Sequence, residues 1–107
     1  MDHHDWKKTH WMDEQGKTVT IQDLLFDMQE EPAIAIKISD LSHIPSTRLE
    51  NYRIRIANLC YPIVVQEKDG VYQSILDGHH RRQRAIEEKR THILVKIFKG
   101  DLFYENR

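Results

Sequence analysis

The feature that most constrains how this chain can fold is the unbroken passage from Pro62 to Gln83, where two β-rich runs, a tight turn, a glycine and a basic helix follow one another. Residues 63–67 and 71–76 are rich in Val, Ile and Tyr, and Asp69-Gly70 between them is a hairpin turn dipeptide. The second run passes through Asp77 and Gly78 into His79, His80, Arg81, Arg82 and Gln83, after which Ala85 and Ile86 mark the expected buried side of a helix reaching about Lys89. A strand that hands its chain directly to a helix in this way requires a sheet with a helix packed on it.

The flanking sequence supplies the other layers. Ile21, Leu24, Leu25 and Met28 fall at helical spacing behind the capping pair Thr20 and Asp23, and Pro32 ends that segment. Ile34, Ile36 and Ile38 alternate with Ala35 and Lys37 as in a half-buried strand, and Ile93, Val95 and Ile97 do the same near the end. Between them Ser46 is placed to cap a helix in which Leu49, Tyr52, Ile56 and Leu59 would form one core-facing stripe. The order predicts an α/β, more closely α+β, fold with a mixed sheet of about four strands and about three helices. Residues 1–17 are polar and without periodicity and read as an arm, leaving residues 18–107 as one domain with its core at 34–98.

At 107 residues a single core can form without disulfides or a structural metal. An apolar fraction of 39% lies above the range of disordered segments, and a net charge of −1 argues against a general nucleic-acid coating protein, so any basic function is local. The single cysteine, Cys60, excludes an internal disulfide, fits a reducing compartment, and between Leu59 and Tyr61 reads as a packed thiol. No apolar run approaches the ~18 residues of a membrane span, and the acidic, His-containing start is unlike a signal peptide, so the expected location is cytoplasmic with no membrane partner. His3, His4 and His10 lack a recognisable metal-ligand spacing.

Chemistry concentrates at the strand-to-helix junction. The first amides of a helix have no intrahelical acceptor and the helix dipole favours an anion there, so Gly78, permitting close approach, with His79, His80 and Arg81 behind it, forms a candidate phosphate cradle. Asp77 is the residue there able to hold Mg²⁺ or accept a proton, or simply to cap the helix.

Residues 34–98 resemble the ParB/sulfiredoxin superfamily. The resemblance rests on Pro62, Ile63 and Val65 in a Pro-Ile-x-Val strand, on Tyr72 in the return strand, and on Gly78 and Arg81 in a Gly-x-x-Arg helix start. Sulfiredoxins carry Gly-Cys-His-Arg, and here His79 stands where their nucleophilic cysteine would be, which argues against that activity. ParB partition proteins carry Gly-Glu-Arg-Arg and bind CTP, but their separate DNA-reading domain has no room in this length. ParB-like free-serine kinases and stand-alone ParB-like domains carry Asp-Gly-His-His-Arg, as Asp77 to Arg81 do here.

That resemblance implies ATP or ADP (or CTP) with Mg²⁺, held by Gly78, His79, His80, Arg81 and Arg48. It also implies Asp77 and His80 as catalytic residues, Asp77 as the metal ligand, and phosphotransfer to a small acceptor or nucleotide hydrolysis as the reaction. Two other classes remain open. Arg81, Arg82 and Arg84, with Arg82 and Arg84 snorkelling outward where the family is usually apolar or small, could contact DNA or another nucleic acid. Alternatively, a non-catalytic interaction or inhibitor protein of a mobile element or phage would use Trp6, Trp11, Phe103 or Tyr104 against a protein partner.

Overall fold

Asp69 (φ 53°) and Gly70 (φ 79°) both take left-handed backbone angles, the combination a two-residue turn between twisted strands demands. The runs on either side fold back on one another as expected. In the computed structural model, which describes residues 10–13, 15–100 and 103–105, the chain is a mixed α+β protein with three α-helices. In chain order the elements are β1 (His10–Met12), β2 (Thr18–Thr20), α1 (Ile21–Asp27), β3 (Ile34–Lys37), a 3₁₀ turn (Ile38–Leu41), α2 (Asn51–Ile56), β4 (Ile63–Lys68), β5 (Val71–Asp77), α3 (His79–Glu87), β6 (His92–Lys99) and β7 (Phe103–Glu105).

These elements form two compact units, one of Met1–Glu30 with Gly100–Arg107 and one of Glu31–Lys99. In the first, β1 pairs antiparallel with both β2 and β7, so part of the segment read as an arm is the middle strand of a three-stranded sheet. Thr20 caps α1 through the expected reciprocal pair: its Oγ1 accepts from Asp23 N (3.1 Å) and Asp23 Oδ2 accepts from Thr20 N (3.1 Å). Leu24 and Met28 are buried whereas Leu25 is exposed. Trp11 is buried, which takes its indole away from a partner, while His3, His4 and Trp6 and the side chains of His10, Phe103 and Tyr104 lie outside the described residues.

In the second unit the sheet order is β3-β6-β4-β5. β6 runs antiparallel to β3 and parallel to β4, and its Val95 lies between Ile34 and Ile63. One face carries the core of Ile36, Ile63, Val65, Ile75, Ile93 and Val95, closed by Leu41, Ile44 and Ala85. Two register shifts interrupt the β4–β5 ladder, and one has a consequence for the site. Val65 pairs with Ile75 but Val64 pairs with Asp77, so Leu76 is an extra residue that re-aims the end of β5 just before α3 begins.

Three expectations fail here. The second helix does not start at Ser46 but at Asn51, with Glu50 as its cap, and it spans only six residues. Ile54 is its buried residue, and Tyr52 (50% exposed) and Ile56 (74%) face outward, because residues 42–50 run as irregular chain and set a helical phase that the longer reading could not contain. In α3 the buried positions are Arg82 and Ala85, with Ile86 exposed. Cys60 is exposed, held in a surface turn where Asn58 Oδ1 accepts from Cys60 N (2.9 Å).

Candidate functional site

The bulge at Leu76 and a left-handed Gly78 (φ 106°, ψ 25°) bring the chain sharply from β5 into α3, with Gly78 as the helix cap. The glycine has a packing reason as well as a conformational one. A Cβ built on it would run into Ile63 Cγ2 and lie 2.7 Å from Ile63 Cβ, with Arg81 Nη1 at 3.2 Å. The direction expected to admit a ligand is therefore filled by the central strand.

Along α3 the polar side chains reach back toward residues 41–62. His80 Nε2 accepts from Glu50 N at 3.1 Å, which assigns the ring proton to Nδ1. Arg81 Nη1 donates to Pro62 O (3.1 Å) and lies 3.4 Å from Asp77 Oδ2. Arg82, 4% exposed, donates from Nη1 to Leu41 O (2.9 Å) and from Nη2 to Ser46 Oγ (2.8 Å). Arg84 donates to Arg55 O and to Ala57 O (3.2 Å), satisfying carbonyls at the end of α2, and pairs with Glu88 (2.7 Å). Four side chains of α3 thus fasten a stretch with little regular structure to one helix.

This arrangement separates the expected site residues. Asp77, Gly78, His79, His80 and Arg81 gather at the start of α3, all half-buried. Arg48 is exposed in the irregular run before α2. Arg82 does not snorkel outward. Its guanidinium is interior because Leu41 O and Ser46 Oγ need a donor there, and Arg84 donates to main chain, so neither presents a free fork to a phosphate backbone. Sequence reasoning missed Glu50, Ser46 and Pro62 as partners of this helix. No signal could have found Leu41 and Pro62, since their acceptors are carbonyls that every residue carries.

His79 and His80 both hold protons less readily than the ordinary imidazole value of 6.5. For His79 burial is the main cause, followed by the Arg82 charge; for His80 burial leads, followed by Arg53. His79 Nδ1 is buried without a hydrogen-bond partner among the described residues. The sign of the pH dependence follows: as pH falls below 6.5 the unfolded chain takes up protons that the native state resists, so stability is full above that value and declines below it. Urea unfolding should show a lower midpoint at about pH 5.5 than at about pH 7.5, with the difference reduced in His80→Asn. An unchanged midpoint across that range would show that these rings do not resist protonation in the native state.

No protein-family model and no curated protein matches the chain. Among the described residues no group of three or more His, Cys, Asp or Glu side chains is arranged to hold a metal ion, and no helix is long and apolar enough to cross a membrane. Mg²⁺ bound with a nucleotide needs only one or two protein carboxylates beside the phosphates. The Asp77 carboxylate at this helix start lies 3.4 Å from Arg81 Nη1, and Glu50 is paired with Arg53 at 3.5 Å.

Proposed function

We infer that the unit Glu31–Lys99 binds a nucleotide through its phosphates at the start of α3. The observation that carries this reading is the convergence, at one helix end, of the His79, His80 and Arg81 amides, the Arg81 guanidinium and the Asp77 carboxylate. Among the described residues Arg81 engages its neighbours through Nη1 alone, so Nε and Nη2 remain to meet a phosphate oxygen. His80, with Nε2 accepting from Glu50, would present Nδ1–H as a donor rather than act as a base. The resemblance of residues 77–81 to Asp-Gly-His-His-Arg domains favours ATP or ADP as the nucleotide.

Magnesium bound with the nucleotide would neutralise charge on the terminal phosphate, which is what phosphoryl transfer or hydrolysis chiefly requires. Asp77 would be its protein ligand. The 3.4 Å approach of Arg81 to Asp77 would loosen as the guanidinium turns to the phosphates, freeing the carboxylate.

Calorimetric titration of the full chain with Mg-ATP, Mg-ADP and Mg-CTP tests this. Binding should be seen for at least one, weakened about tenfold or more by Arg81→Ala and hardly at all by Arg53→Ala. Arg81→Lys, which keeps a donor for Pro62 O but lacks the fork, should also bind more weakly, separating a phosphate role from a folding role. Absence of heat with all three nucleotides would remove the reading.

A further inference from the structure

We propose that the Glu31–Lys99 unit has a second site, toward the C-terminal half of α3, which binds a small monoanionic carboxylate with an apolar body. A cleft of about 600 Å³ opens there between α3, residues 56–60 and strands β3 and β6. Its size falls among those of small-molecule sites, roughly 300–1,000 Å³. It is roomy because small residues line it: Ala57 after α2 and Ala85 from α3 leave space that Leu59 and Ile93 bound with apolar surface.

Charge at the same cleft selects the head group. Glu88 accepts from Arg84 Nε at 2.7 Å through one oxygen and from Arg90 Nε at 2.9 Å through the other. Two guanidiniums on one carboxylate leave one positive charge uncompensated. Arg84 is further engaged with main-chain carbonyls, but Arg90 is 55% exposed and among the described residues uses only Nε, so its two terminal nitrogens are the open donors. A planar carboxylate matches that edge, whereas a second negative charge would be repelled by Glu88. A neutral apolar molecule would fill the floor but leave the open donors unmatched. Apolar floor and single net charge together therefore specify an amphipathic monoanion.

Octanoate is a suitable probe, and Cys60, the chain's only cysteine, lies exposed in the cleft as a reporter. Calorimetry of the full chain should detect octanoate binding, and octanoate should saturably slow alkylation of Cys60 by iodoacetamide. Affinity should fall about tenfold with 1-octanol in place of octanoate, and by a similar factor in Arg90→Gln. Ala57→Leu, which fills the cleft from a half-buried position just after α2, should abolish both signals. If Ala57→Leu does not fold, Arg90→Gln decides, because that side chain lies largely in solvent. No heat with octanoate, equal affinity for 1-octanol, or heat that leaves Cys60 unprotected would each overturn the proposal. Arg81→Ala should leave octanoate binding intact, so this site and the nucleotide site fail or stand separately.

Discussion

Arg82→Ala is expected to destabilise the protein by about 4 kcal/mol, the largest effect of any single truncation in α3. Two causes add. Each hydrogen bond from a charged donor contributes about 1.5–3 kcal/mol, and removing this guanidinium leaves Leu41 O and Ser46 Oγ without their donor. Truncating a side chain that is 4% exposed also opens a cavity beside Ala85 and Leu41, both fully buried. Against a typical total stability of about 5–15 kcal/mol, such a loss would bring the unit close to unfolding at ambient temperature. Urea denaturation followed by far-UV circular dichroism measures it directly. Arg82→Met restores most of the volume without the donors and should recover only part of the loss. A midpoint within error of the parent for Arg82→Ala would mean that the guanidinium is as well solvated outside as in, and that residues 41–46 do not depend on it.

Gly78→Ala should cost about 3 kcal/mol, for reasons that have nothing to do with a ligand. A left-handed backbone angle disfavours any side chain by roughly 1–2 kcal/mol, and the new methyl would overlap Ile63, adding about 1–3 kcal/mol of overpacking. The two parts can be separated by repeating the substitution in an Ile63→Ala background. There the overlap is relieved and only the backbone share should remain, so the double-mutant cycle should show a coupling of at least about 1 kcal/mol. Ile63→Ala is itself costly because that side chain is fully buried, so the cycle is best read from denaturant midpoints at low temperature. If Gly78→Ala leaves stability unchanged but abolishes nucleotide binding, the glycine serves ligand approach and the packing argument is wrong.

These two substitutions mark where the meaning of a motif changed between sequence and structure. Gly78 and the basic residues behind it read as an anion cradle because glycine, histidine and arginine at a helix start are the residues such cradles use. In the folded chain Gly78 is required by Ile63, Arg82 by Leu41 and Ser46, and Arg84 by the end of α2. What remains open at the helix start is narrower than the motif suggested: three amides and part of Arg81, beside the Asp77 carboxylate. The second helix shows the same limit in another form. Leu49, Tyr52, Ile56 and Leu59 share a spacing, but the helix is too short to contain them all, and Tyr52 and Ile56 end up exposed. Cys60 looked packed because its sequence neighbours are apolar, whereas a turn held by Asn58 carries it to the surface.

From sequence alone one could determine the hairpin at Asp69-Gly70, the capping box of Thr20 and Asp23, the β-period through Ile34 and Ile36 and through Ile93, Val95 and Ile97, the helix that follows Gly78, and hence a small mixed α+β fold, although Ile38, read with the first of these strands, lies in the 3₁₀ turn. Each of these depends on residues within a few positions of one another, where turn chemistry, capping and period act locally. Tertiary structure alone decided which way the arginines of α3 point, where Cys60 lies, and that Ala57 and Ala85 line a cleft. For the arginines the physical reason is distance along the chain. The acceptors for Arg81, Arg82 and Arg84 are mostly main-chain carbonyls 19 to 41 residues away in the chain, and a carbonyl left over in an irregular segment has no signature in the side chains that surround it.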